Sequence, residues 1–245
     1  RSTISVPRLP SAFVGTRIAF IADFHHSSMN GRSYLEKVVR ITNSLSPDLV
    51  LLGGDYVHNQ RRYIAPCMRE LSKLKSRWGV YGVLGNHDHW AAPQLVSQAM
   101  AECGIIELTN SGKWIENEGQ RLRVAGVDDL WEGNQLLHRA LGDTALDESA
   151  LLISHNPDYV EQIVDSRVGL VFSGHTHGGQ VVLPIVGATR VPSRYGQKYL
   201  HGLVKTKNTQ AYVTRGVGSL GPMNLTVRIC CPRELLLIRM FSPAR

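Results

Sequence analysis

Three short apolar runs constrain the fold of this chain more than anything else in it. They are Arg17-Ile18-Ala19-Phe20-Ile21-Ala22, Leu49-Val50-Leu51-Leu52 and Val80-Tyr81-Gly82-Val83-Leu84. Each is too short for a helix and reads as a strand buried on both faces. Between them, Leu35, Val38, Val39, Thr42 and Leu45 recur at helical spacing, as do Ile64, Met68, Leu71 and Leu74 within residues 62–76. Pro47 and Asp48 stop the first of these helices. A strand–loop–helix unit repeated in this way argues for parallel strands with right-handed crossovers. The strands of such a sheet end along one edge, and ligands sit in the crevice outside those ends.

Residues 1–16, with two prolines, read as an irregular lead-in to one domain over residues 17–245. With 245 residues, 43% of them hydrophobic, the chain can bury a large core. Beyond a short helix at 93–102, the runs at 105–108, 113–117 and 121–127 read as strands. Residues 134–141 read as a helix. Leu151-Leu152-Ile153 and Leu170-Val171-Phe172 are two more buried strands, and Pro157 suits the first turn of a helix that follows the former. The runs at 180–183, 211–214, 225–230 and 235–240 are expected in a second sheet. Residues 184–202 are rich in Gly, Pro and basic side chains.

No apolar run is long enough to span a bilayer. The 27 Lys and Arg exceed the 20 Asp and Glu, giving a net charge of +7. No long Lys/Arg run accompanies that surplus, so a solvated basic surface is expected and no specific nucleic-acid partner. Mild attraction for an anionic substrate or lipid fits the same balance. Cys67, Cys103, Cys230 and Cys231 contain no Cys-x-x-Cys pair, which argues against a disulfide framework or a thiolate zinc site and for buried thiols.

Every strand of the repeated kind ends in a polar cluster: Asp23-x-His25, Gly54-Asp55, Gly85-Asn86-His87-Asp88, His155, and Gly174-His175-x-His177. Any one of these is an ordinary loop as readily as a ligand set. Five in this order, each at a strand end, are not. Carboxylate, amide and imidazole without sulfur suit Mn, Fe or Zn bound through O and N. The donors outnumber the needs of one ion, and Asp55 could bridge two. The one-residue gaps in Asp23-x-His25 and His175-x-His177 would put both side chains on one side of an extended chain.

This order of segments resembles the calcineurin-like metallophosphoesterases. His155-Asn156-Pro157-Asp158 and Gly174 to Gln180 are similar to a membrane-associated or exported branch, which includes relatives that hydrolyse the pyrophosphate of UDP-diacylglucosamine. The resemblance implies an α/β fold, a four-layer αββα sandwich of two mixed β-sheets flanked by helices. It implies two divalent ions, Mn first and Fe or Zn as alternatives. Asp23, His25, Asp55 and His177 would hold one; Asp55, Asn86, His155 and His175 the other. His87 would stabilise charge on phosphorus or protonate the leaving oxygen, and Asp88 would orient His87 or cap the loop, with a hydroxide shared by the ions attacking in line.

The implied activity is hydrolysis of a phosphodiester or pyrophosphate bond, with a lipid-linked substrate or membrane surface as the expected partner. The alternatives are a phosphomonoesterase with the same metals and, behind it, a metal-binding scaffold without turnover. A membrane-associated or exported location is expected, with a cytoplasmic one as the alternative. His26 faces either substrate or solvent, and His89 carries equally little signal. Asp128 and Asp129 are expected to close a turn. Arg190, Arg194, Lys198 and Arg215 lie where they could reach an anion, though a solvated surface accounts for each.

Overall fold

The computed structural model describes residues 1–220 and 227–243. Its first half runs β1 (Ser2–Ser5), β2 (Arg17–Ile21), α1 (Arg32–Ser44), β3 (Leu49–Leu52), α2 (Ile64–Leu71), β4 (Val80–Gly82), α3 (Asn86–Ala91), α4 (Pro93–Glu102) and β5 (Ile106–Glu107). The second half runs β6 (Ser111–Asn117), β7 (Gln120–Gly126), α5 (Leu137–Leu141), β8 (Ala150–Ile153), β9 (Val168–Ser173), β10 (Val182–Leu183), β11 (Gly187–Ala188), β12 (Gly202–Lys205), β13 (Gln210–Val213) and β14 (Leu236–Phe241).

One six-stranded sheet has the order β1-β14-β2-β3-β4-β5, the other β12-β13-β9-β8-β7-β6. In the first, β2, β3, β4 and β5 are parallel; in the second, β7, β8, β9 and β13 are. The alternation along each strand explains why the sheets stack. Ile18 and Phe20 of β2 join Leu151, Ile153, Leu170 and Phe172 in the core between the sheets, while Ala19 and Ile21 pack under α1, α2 and α4. On the far side, Ala125, Leu152 and Val171 bury against α5 and the 157–163 turn. Four layers result, helices outside and two mixed sheets within.

Phe20 and Phe172 meet across the sheets at 5.2 Å between ring centroids. Each stands three residues before a candidate ligand, Asp23 or His175. Such an aromatic pair contributes about 0.5–1.5 kcal/mol beyond its area and keeps the two strand ends in register.

Several expectations fail locally. The lead-in is not irregular throughout, because Ser2–Ser5 zips alongside β14 as an edge strand and buries Ile4. The expected strand at 235–240 forms, but within the first sheet, between β1 and β2. Its alternating Leu236, Ile238 and Met240 enter the inter-sheet core. That pattern demands one buried face and is silent about which sheet supplies it.

The run at 180–183 joins neither sheet; its last two residues pair with β11 as a separate ribbon. The run at 225–230 lies partly outside the described residues, and its described end makes only a bridge from Ile229 to Val181. The second helix ends at Leu71, not near residue 76. There Asn43 of α1 accepts from the Lys75 N–H and donates to the Lys73 carbonyl, taking over bonds a longer helix would have made. The segment after Pro157 winds as a 3-10 helix over Pro157–Gln162. Of the cysteines, Cys67 and Cys231 are buried, but Cys230 is exposed.

Candidate metal centre

All five polar clusters meet at one rim, because β2, β3 and β4 of one sheet and β8 and β9 of the other end there. The backbone reaches them by an unusual route. Asp23, His25, Asp55, His175 and His177 all have positive φ, between 45° and 67°. A left-handed conformation costs a non-glycine residue about 1–2 kcal/mol. Held strain of this kind clusters at functional sites. The one-residue spacings therefore do not work by extended-strand alternation, as the sequence suggests; left-handed turns aim each side chain separately. Glycine is required where two clusters touch. A Cβ on Gly85 would lie 2.3 Å from Asp55 Oδ1, and one on Gly174 2.5 Å from Asp23 Oδ2.

The side chains form two groups that share Asp55. In one, His25 Nε2 lies 2.9 Å from His177 Nε2 and 3.4 Å from Asp55 Oδ2, and His177 Nε2 lies 3.8 Å from Asp23 Oδ1. In the other, Asn86 Oδ1 lies 3.2 Å from His155 Nε2 and 3.0 Å from His175 Nδ1. His155 Nε2 also lies 3.3 Å from the same Asp55 Oδ2. His155 donates its Nδ1–H to the Gly53 carbonyl at 2.6 Å, which turns Nε2 inward.

The donor set fits divalent cations. Oxygen and imidazole lone pairs converge with few protons to share, and Asp23 Oδ2 is buried with no hydrogen-bond partner. Asp23, His25 and His177 bring ligand atoms within 4.8 Å of one another, and so do Asp23, Asp55 and His155.

For three of the histidines the electrostatics point the same way. Burial drives His25 and His177 well below the ordinary imidazole value and takes His175 to about 3, so all three are neutral, the form a metal needs. Burial also raises Asp23, to about 7, with His155 opposing it and Asp55 adding to it. For Asp55, burial works against the charge, but His155 and His87 overcome it and hold the carboxyl well below the usual range. Burial lowers His155, yet Asp55 outweighs that and lifts it to about 10. Without cations, then, His155 serves as the counter-charge to Asp55.

His87 sits beside these groups, its ring 4.6 Å from that of His25 and packed on His58 and Trp90. Its Nδ1–H donates to the His58 carbonyl, which leaves Nε2 for other work. Asp88 does not touch the His87 ring among its hydrogen bonds. Its buried carboxylate accepts from the backbone N–H groups of Gly85, Asp55, Tyr56 and Val57 at 2.8–3.3 Å. Of the two expected roles, it fills that of loop cap, locking the Asp55 loop to the start of α3.

His26 meets neither expectation. It is 4% exposed, paired through Nδ1 with the Asn30 carbonyl at 2.8 Å and packed edge-on against Tyr63. His89 pairs with Asp128 at 3.0 Å, and Asp129 accepts from the Trp131 and Glu132 N–H groups, closing the turn expected of it. Of the basic residues weighed from sequence, Arg190 lines the cleft, while Lys198 pairs with Glu161 and Arg215 lies against His201. Arg194 is anchored through its backbone N–H to Asp158.

Four residues at the rim escape a sequence reading. His58 stacks on His87. Trp90 and Trp131, both about half exposed, cover His87 and His175 and stand on either side of a cleft of about 500 Å³. Arg228 reaches in from the tail, its Nη2 3.2 Å from His177 Nδ1 and also donating to the Gly218 carbonyl at 2.6 Å. The one available signal was the presence of tryptophans beside polar clusters, Trp90 just after Gly85-Asn86-His87-Asp88 and Trp131 just after Asp128-Asp129.

A model of the family described as calcineurin-like phosphoesterase matches residues 16–179. A Bacillus subtilis protein, "Uncharacterized metallophosphoesterase YkuE", is 31% identical over 98% of this chain and 84% of its own length. "Phosphodiesterase YaeI" of Escherichia coli is 32% identical over 86% of this chain and 78% of its own. A Danio rerio protein, "Transmembrane protein with metallophosphoesterase domain", is 31% identical over 92% of this chain but only 54% of its own. No helix among the described residues is long and apolar enough to cross a membrane. Among solved structures, a Haemophilus influenzae NAD nucleotidase aligns with a TM-score of 0.56 over 81% of this chain and 50% of that one, at 14% identity, a likeness of fold alone.

Proposed function

The chain belongs to the calcineurin-like phosphoesterase family and is a metal-dependent phosphoesterase; we propose that it cleaves phosphodiester or pyrophosphate bonds on a two-cation centre. Asp23, His25, Asp55 and His177 would hold one cation; Asp55, Asn86, His155 and His175 the other. Mn²⁺ is the first choice, with Fe or Zn as alternatives, given an all-O/N donor set. Bound cations would supply charge neutralisation at phosphorus and a lowered pKa for water.

The chain's own residues do the rest. Asp55 Oδ1 accepts the His87 N–H at 2.9 Å, so the loop carrying the catalytic imidazole is fixed to the shared carboxylate. His87, with Nδ1 committed to a carbonyl, presents Nε2 to hold or release the proton of the departing oxygen. Asp88 keeps both loops in place and is a positioning residue. Trp90, Trp131 and the apolar Val181, Pro192 and Leu220 line the cleft beside Arg190, its one Lys or Arg among the described residues. That lining suits a group esterified on each side of phosphorus, one of them apolar, and so a lipid-linked diester or diphosphate.

The observation that carries this reading is the single oxygen, Asp55 Oδ2, facing a histidine of each group at 3.3–3.4 Å. The test compares bis-p-nitrophenyl phosphate with p-nitrophenyl phosphate on protein stripped of metal and resupplied with Mn²⁺. Diester turnover should vanish with the metal and return with it. Undiminished turnover by verified metal-free protein would overturn the mechanism, and preference for the monoester would establish the monoesterase alternative.

A further inference from the structure

Beside the metal cleft stands the ribbon of β10 and β11, with its turn in solvent. Ile185 at the turn is 107% exposed, Val186 66% and Leu183 39%. Ile185 also has a φ of 71°, a rare setting for a β-branched residue. Large apolar side chains held out together mark an interaction site more often than chance. The ribbon is tied down at its base: the Ala188 N–H donates to Gln197 Oε1 at 3.2 Å, and Val181, Thr189 and Arg190 line the cleft itself.

The charge around this ribbon is lopsided. From Ser166 through Arg233 the chain contains nine Lys and Arg and no Asp or Glu; of the 27 basic and 20 acidic residues, that leaves 18 against 20 for everything else. The positive balance of the molecule therefore resides in this span, where Arg167 and Lys198 pair with Asp165 and Glu161 and the cations that follow the ribbon directly are Arg190 and Arg194. Arg190 and Arg194, just beyond β11, are exposed and form no ion pair among the described residues.

We infer that this ribbon is an interfacial anchor for an anionic lipid bilayer. Leu183, Ile185 and Val186 enter the boundary between headgroups and acyl chains, and Arg190 and Arg194 meet the lipid phosphates. Apolar side chains at the tip with cations at the base match that interface in order and sign. A protein partner is a poorer occupant, because a stable interface buries roughly 1,200–2,000 Å² in all and this tip is three side chains wide. The inference deepens the lipid-linked reading above: the cleft rim would be held against the surface in which such a substrate resides.

The test is co-sedimentation of the full chain with vesicles of phosphatidylcholine plus phosphatidylglycerol, compared with phosphatidylcholine alone. The protein should bind the anionic vesicles, less so at high salt. Ile185→Asp combined with Val186→Asp should weaken partitioning by about tenfold or more. Arg194→Glu should weaken binding to the anionic vesicles only. Turnover of soluble bis-p-nitrophenyl phosphate should remain unchanged in both, which also certifies their fold. Equal sedimentation of wild type and variants, or no wild-type binding, overturns the inference. So does concentration-dependent self-association that the double variant abolishes, which would assign the tip to a second copy of the chain. Soluble turnover absent from protein that still binds vesicles would instead refute the reaction and leave the anchor standing.

Discussion

The two sheets furnish their shared rim with unlike chemistry. The first contributes both carboxylates, the amide and the candidate catalytic imidazole: Asp23, Asp55, Asn86 and His87, together with His25. The second contributes imidazoles alone, His155, His175 and His177. Among the candidate donors, negative charge is thus confined to one wall, and neutral or protonated rings face it across the gap. Each set of four donors draws on both, so packing of the sandwich is a precondition of the site, and the core pair Phe20–Phe172 lies directly beneath it.

That contrast can be broken most severely at Asp55. Asp55→Asn removes the charge shared by both groups, so metal content should fall at both positions. Diester turnover should drop at least about a thousandfold, a loss of ~4 kcal/mol in transition-state stabilisation. Metal analysis showing near-normal content would mean that the carboxylate is not shared. His87→Ala, on the same wall, should instead keep its metal and lose turnover by about 10²–10⁴-fold. If the ions leave with the ring, His87 is a ligand and the division of roles is wrong.

A subtler measure asks whether both walls are needed. Mn²⁺ at a hundredfold excess over its dissociation constant should stabilise the fold by about 2.7 kcal/mol per independent site. His177→Ala, which changes only the second sheet, should remove part of that gain in thermal melts. A full gain in the variant would confine metal binding to the first wall.

The smallest effect concerns the latch between the walls, His89 on α3 with Asp128 beyond β7. The hydrogen bond and charge of Asp128 raise His89 above its ordinary value, while His89, against the cost of burial, lowers Asp128. A raised histidine stabilises fully below its unfolded pKa near 6.5 and loses that contribution as pH rises through the folded value; a lowered aspartate does so above about 3.9 and loses it as pH falls. The latch should therefore be complete between about pH 3.9 and 6.5 and worth about 0.5 kcal/mol after solvent screening. Asp128→Asn should cost that amount at pH 5.5 and almost nothing at pH 9, as read by denaturant melts.

Much of this was legible from the chain, for identifiable reasons. Strand ends are marked by a sharp change from apolar to polar, and a parallel sheet lines them up, so residues from Asp23 to His177 could be assigned to one edge. The same segments carry the family resemblance, and the sandwich comes only as what that resemblance implies. Less legible was anything decided by long-range choice. The alternation in β14 requires a buried face but cannot name the sheet, and Ser2–Ser5 becomes a strand only because β14 offers it an edge. Arg228 reaches His177 from a loop whose sequence carries no mark of it. His26 is expected to face either substrate or solvent, yet it is buried and turns to Asn30, next to a left-handed His25. That turn is invisible to a rule built on extended chain.

Those left-handed residues carry a further implication. Five of the donors occupy backbone that glycine would adopt without penalty. A chain selected only for thermal robustness would discard Asp23 or His175 in favour of glycine and relax. Their retention makes the rim a loaded spring, tensioned by folding and kept ready for cations that need not rearrange the protein when they arrive. Asp23→Gly should accordingly yield a protein no less sturdy than the original, short of the cation that Asp23 would help hold, and a useless one.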